Sequence, residues 1–268
     1  MEPRPLADSE SIDFPTDDLS FFKYRRALLA GVSNDSEDHG RSVFVRLYLL
    51  HRELSELCFY HVFPNTIREP KKQINSRRLD EQGTNLTSVL REMQRNKIET
   101  GDFGDLRRSL THVVPGITDV RTEAVGGYLV LKFKHSNIVD GKGVWLDASQ
   151  ESDGTLRMLA LLTAVYQRRR PPLLGIEEPE SAVHPGVLAV LAEIFEEASL
   201  RTQVVITTHS PDLIDRLPIA CIRAVEFVDG ETKVGKISET QAQAVKQGLF
   251  TAGELHSMEG LQLTKVQS

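Results

Sequence analysis

The sequence predicts an α/β fold with parallel core strands flanked by helices, and three observations carry that prediction. Two short apolar runs, Leu173 to Ile176 and Val204 to Ile206, have the length and continuous hydrophobicity of strands covered on both faces. Between them, Val187, Leu188, Leu191, Ile194, Phe195 and Ala198 recur at helical spacing, with Glu193, Glu196 and Glu197 on the opposite side. Ahead of both, Leu156, Leu159, Ala160, Leu162, Thr163 and Tyr166 mark another buried helix face, with Ser152 or Asp153 as its N-cap.

Taken in order, residues 1–18 are rich in Pro, Ser and acid and read as a poorly ordered tail. Residues 19–117 read as a mostly helical arm. Within it, Phe21 to Val32 suggests a short helix or strand broken by Gly31, and the polar run after it a surface loop. Ser42 to Phe59 reads as strand then helix, because β-branched residues open a run that continues at helical spacing. Phe63-Pro64 and Glu69-Pro70 punctuate an irregular segment reaching Gly83. Asn85 is placed to cap a helix through Leu86, Val89, Leu90 and Met93, and Leu106 to Val113 forms another, stopped by Pro115-Gly116.

From Thr118 the period changes from helix to strand. Leu129, Leu131 and Phe133 alternate with Val130, Lys132 and Lys134, Gly126-Gly127 supplies a two-residue hairpin turn, and Val144 to Asp147 adds a strand. This hairpin opens the core lobe, residues 118–238. After Ile206 the pattern gives a short helix at Pro211 to Leu217, then strands at Ile222 to Val228 and Lys233 to Ile237 around Asp229-Gly230. Residues 239–268 form a C-terminal extension, helical or frayed.

Composition excludes several classes. No apolar run approaches the roughly 18 residues of a membrane span, and the acidic N-terminus lacks the apolar segment of a signal peptide, so the cytoplasm is expected. Cys58 and Cys221 lie in apolar contexts without metal-ligand spacing and read as reduced core thiols. The net charge of −6 argues against a nucleic-acid-coating protein, and Lys71-Lys72, Arg77-Arg78 and Arg168 to Arg170 read as solvated faces.

The chemistry falls at strand ends, where parallel α/β sheets bind ligands. Glu177-Glu178 follow the first apolar run, and Thr207-Thr208-His209 follow the second. Two adjacent carboxylates leaving a buried strand suit a cation shell and a water, though the same pair also fits a solvated strand exit. Ser152 and Gly154 at a helix start offer backbone N–H groups, a hydroxyl and the positive dipole end to a phosphate; taken singly, they read first as an ordinary N-cap. A carboxylate-based nuclease needs a further Asp-x-Asp pair, whereas Asp212 and Asp215 follow the histidine on a short helix.

The ordered set resembles the C-terminal half of ABC-type ATPase head domains, the class of SMC, RecF and OLD proteins, in particular stand-alone AAA-type ATPases related to OLD. Ser152-Asp153-Gly154-Thr155-Leu156-Arg157 is similar to their signature motif. Leu173 to Glu178 resembles Walker B, Pro179 to Pro185 the D-loop region, and Thr208-His209-Ser210-Pro211 the switch-histidine motif. Residues 77–93 and 113–120 are similar to the helical arm of that family. The resemblance implies the C-terminal lobe of a P-loop NTPase that uses ATP and Mg²⁺. It assigns Glu177 to the metal, Glu178 as the water-polarising base and His209 as γ-phosphate sensor. Ser152, Gly154, Thr155, Arg157 and Ser181 become nucleotide contacts, the signature residues acting across a dimer.

One departure is large. No G-x-x-x-x-G-K-[ST] occurs in the 268 residues, so ATP and Mg²⁺ are expected only if a P-loop is supplied elsewhere. A gene fragment, a split ATPase and a non-hydrolysing relative all fit that departure. The expected partner is a second copy, or an ATPase or nuclease subunit; DNA enters only through the resemblance, and no membrane is expected. The alternative to an ATPase core is a non-hydrolysing assembly module or a truncated remnant.

Overall fold

The computed structural model describes residues 39–95, 102–136 and 143–264. The expected tail and the Phe21 to Val32 segment lie outside them. The chain divides into two units, residues 1–55 and 56–268.

In the first unit the described element is helix α1 (His39–Ser55). The strand-then-helix expectation for Ser42 to Phe59 is therefore reversed, because strand β1 (Cys58–Tyr60) comes after the helix. Phe44, Leu47, Leu50 and Leu54 recur at three- and four-residue steps, and that periodicity outweighs the β-branched Val43 and Val45.

In the second unit β1 leads to α2 (Pro64–Arg68) and β2 (Lys71–Lys72), so the segment expected to be irregular carries two short elements. Pro64 opens α2 at its first turn, where a missing N–H leaves no bond unmade. Helices α3 (Leu86–Arg95) and α4 (Asp102–Val113) follow. Asn85 does not cap α3 with its side chain. Its Nδ2 donates to Ser76 Oγ and Arg78 O, and its Oδ1 accepts from the Asp80 N–H, which pins the preceding loop.

Strands β3 (Ile117–Val125) and β4 (Tyr128–His135) form the expected hairpin. Gly126 and Gly127 both take positive φ (57° and 84°), as a two-residue turn matching the strand twist requires. Strand β4 pairs β3 along its length, and β2 and β5 (Val144–Asp147) near its ends. Leu131 and Phe133 turn inward to the core beneath α3 and α4.

The centre of the unit is α5 (Asp153–Tyr166), where every residue from Thr155 to Tyr166 is buried. It packs on α2, α3 and α4. Strand β6 (Leu173–Glu177) is the middle of a parallel sheet of order β1-β6-β7, completed after α6 (Leu188–Ser199) by β7 (Gln203–Thr207). Leu174 and Ile176 are buried as expected, but β7 is not a fully covered strand. It is the sheet edge, and its odd-numbered residues are exposed, Val205 at 42%. Phe59, Gly175 and Val205 share one row of this sheet, and the Phe59 ring lies where a Cβ on Gly175 would stand.

The chain closes with α7 (Pro211–Ile214), the hairpin β8 (Arg223–Val228) and β9 (Glu231–Lys236), and helices α8 (Glu239–Lys246) and α9 (Ala252–Glu259). Cys58 is buried and receives Arg78 hydrogen bonds, whereas Cys221 is exposed in a helical turn at Ile219–Cys221 and is not a core thiol. Arg78 is thus drawn inward, and Arg169 and Arg170 pair with Glu56 and Asp102, so these basic runs are not simply solvated.

Candidate functional site

Parallel pairing of β6 with β7 places Glu177 opposite Thr207, and the Glu178 N–H continues the ladder onto Thr207 O at 2.9 Å. Here the two chain segments carrying carboxylates and histidine leave the sheet side by side. Glu178 then bends the chain with φ of 40°, in the left-handed region that a long side chain rarely occupies. Ser181 secures that bend twice: its N–H donates to Glu178 O at 3.0 Å, and its Oγ donates to Glu178 Oε2 at 3.0 Å.

Glu180 ties the two exits together. Its Oε1 accepts from Thr208 Oγ1 at 2.7 Å and from the His209 N–H at 3.0 Å, while its buried Oε2 makes no hydrogen bond among the described residues. Sequence reasoning missed Glu180, which reads as one more acid in a polar loop. The His209 ring is exposed and stands 6.4 Å from that of His256 on α9.

Glu177 is exposed, and its Oε2 accepts a hydrogen bond from His61 Nδ1 at 2.6 Å. His61 follows β1, and nothing local in the sequence marks it, because the β1–β6 pairing brings it there. Among the described residues no protein group bonds Glu177 Oε1, and no group of three or more His, Cys, Asp or Glu side chains that could hold a metal ion is found. Mg²⁺ takes only one or two protein carboxylates and completes its shell with water and phosphate oxygens, so a single carboxylate with one open oxygen is compatible with it.

The α5 N-terminus meets the β6 exit directly. Ser152 caps the helix, its Oγ accepting from the Thr155 N–H at 3.1 Å and bonding Thr155 Oγ1 at 2.9 Å. Arg68 pairs with Asp153 and donates to Glu151 O, and buried Glu151 takes a bond from His135 Nε2 at 2.6 Å. A Cβ on Gly154 would collide with the carbonyl oxygen of Ala182, so glycine here permits the close approach of the helix to the loop after β6. Beside this contact Ser152, Gly154, Thr155, Ala182 and His184 border a recess of about 170 Å³. That is below the roughly 300 Å³ at which small-molecule sites begin.

Arg157, expected to face a phosphate, points inward. Its Nη2 donates to Glu178 O (2.9 Å) and Glu177 O (3.1 Å), and its Nη1 to Val62 O (3.4 Å). Burial holds its pKa below the ordinary arginine value, and the charges of Glu178 and Glu180 oppose that shift. The structure thus joins the start of α5, with Ser152 and Gly154, to the end of β6 and its loop, with Glu177, Glu178 and Ser181, and that loop to His209 through Glu180, and it buries Thr155 and Arg157.

Residues 63–215 match the family model described as "AAA domain, putative AbiEii toxin, Type IV TA system". Among solved structures, the chain is similar to one reported under ATP-driven dimerization and DNA-stimulated activation of SMC ATPases, at 14% identity and TM-score 0.44, covering 59% of this chain and 96% of that one. It is also similar to the Smc head domain with a coiled coil and joint from Pyrococcus yayanosii, at 16% identity and TM-score 0.44, covering 62% and 31% of the two chains. A third is the SmcHead bound to the C-winged helix domain of ScpA, at 14% identity and TM-score 0.47, covering 67% and 54%.

Proposed function

The chain belongs to the AAA-domain family, and from that premise we propose that it is an ATPase core presenting half of a nucleotide site, the phosphate-cradling loop coming from outside these 268 residues. The observation that supports this reading most is the pairing of Glu177 with Thr207 at adjacent parallel strand ends, which sets the carboxylates beside His209. The small recess and the lack of a G-x-x-x-x-G-K-[ST] sequence both fit a site that is incomplete alone.

In this reading Glu177 would hold Mg²⁺, which when bound would supply positive charge to offset that of the phosphates. Glu178, fixed by Ser181, accepts the proton of the attacking water. His209 donates toward the terminal phosphate. Ser152 and Gly154 offer the α5 N-terminus to the nucleotide of a partner, either a second copy or an ATPase or nuclease subunit.

The test is ATP turnover by the full chain purified from its own cells together with what it retains. Glu178→Gln is expected to lower phosphate release by about 100-fold or more while MgATP retention persists. Turnover indifferent to this substitution overturns the assignment. The absent P-loop favours a second reading, an assembly module without turnover, and saturable MgATP binding by the isolated chain counts against it.

A further inference from the structure

Arg157 is the one charged residue among the buried positions of its helix, where Leu156, Leu159 and Leu162 are fully enclosed. A guanidinium here is expensive to desolvate, and it forms no direct ion pair among the described residues. Packing alone would be served by another leucine or methionine. The charge is spent on backbone, and on one stretch in particular, the consecutive carbonyls of Glu177 and Glu178.

Those carbonyls flank the left-handed bend at Glu178. A long side chain in that region is strained, and such a conformation persists only where its surroundings over-determine it. Thr207 O holds the Glu178 N–H, and Ser181 holds its carbonyl and carboxylate from within the same loop. Arg157 supplies the hold from a different element, the central helix α5, with charge-assisted bonds that are the stronger kind.

We propose that Arg157 is a positioning residue for Glu178: it clamps the two carbonyls of the left-handed bend and so fixes where the exposed Glu178 carboxylate stands at the end of β6. What that carboxylate does rests on the function proposed above; the clamp itself does not. Because the same helix begins with Ser152 and Gly154, one rigid element sets both the helix-start group and the carboxylate.

The experiment measures amide hydrogen exchange and the side-chain carboxyl ¹³C resonance of Glu178 by NMR in the full chain. Arg157→Ala is expected to speed exchange at Glu178 by about tenfold or more, through loss of the charge-assisted bonds to the Glu177 and Glu178 carbonyls, and to shift the carboxyl resonance, while α6 amides keep their rates. Millimolar guanidinium, but not sodium at equal ionic strength, is expected to restore both. Unchanged Glu178 exchange, acceleration spread equally over β6 and α6, or no response to guanidinium overturns the proposal. If Arg157→Ala does not fold, Arg157→Lys decides: faster Glu178 exchange than in the unsubstituted protein supports the clamp, and an unchanged rate refutes it. In a preparation with ATP turnover, Arg157→Lys lowers kcat and leaves KM in place. A preparation with no turnover counts against the ATPase reading alone, since the NMR result stands without it.

Discussion

His61 Nδ1 lies 2.6 Å from Glu177 Oε2, joining the exits of two parallel strands across 116 positions of sequence. Both side chains are about half exposed, at 47% and 53%, so water competes for the bond. His61→Ala is expected to change unfolding free energy by less than about 1 kcal/mol, read from urea denaturation. A loss several times larger would make the pair a structural tie and not a surface feature of the site.

Gly154 tests the junction between α5 and the loop after β6. Gly154→Ala places a methyl group against the Ala182 carbonyl, and backbone cannot swing aside as a flexible side chain can. A destabilisation of about 1–3 kcal/mol is expected. It should come with altered amide shifts at Ala182 and Val183. Neutral behaviour would mean that helix and loop part easily.

Tyr60 carries an alkaline signature. Burial, above all, pushes its hydroxyl above the ordinary 10.0; Cys58 adds to the shift and the hydrogen bond from Gln167 opposes it. The native state keeps a proton that the unfolded chain releases, so this contribution is complete below pH 10.0 and lost as pH rises toward the folded value. Tyr60→Phe should flatten the fall in stability above that pH, at the expense of the bond from Gln167 Nε2. Equal slopes in the two proteins would show that Tyr60 ionises freely when folded.

Local chemistry made much of the second unit legible. Gly126-Gly127 and Asp229-Gly230 announced their hairpins because two-residue turns need positive φ at both positions, which both pairs adopt. Ser152 announced α5 because a hydroxyl cap has a fixed place in sequence. What stayed hidden is non-local. The β1–β6 pairing leaves no mark on either segment, so His61 could not be matched to Glu177. Val204 to Ile206 reads identically whether one edge or two are paired, so the exposed edge of β7 was invisible. Arg157, which the resemblance made a nucleotide contact, is buried because its guanidinium meets backbone carbonyls far off in the chain, and Gln167 is buried because its Oε1 accepts from the Leu79 N–H.

The left-handed φ of Glu178 also bears on how this sequence would drift under selection for heat resistance alone. Asn and Gly enter that conformation far more readily than Glu, so a screen that rewards only survival of the fold would favour replacing Glu178. Robustness and the carboxylate therefore pull in opposite directions at a single codon. A thermostable library enriched at position 178 in Asn or Gly would be improving the scaffold by erasing what the scaffold is shaped to hold.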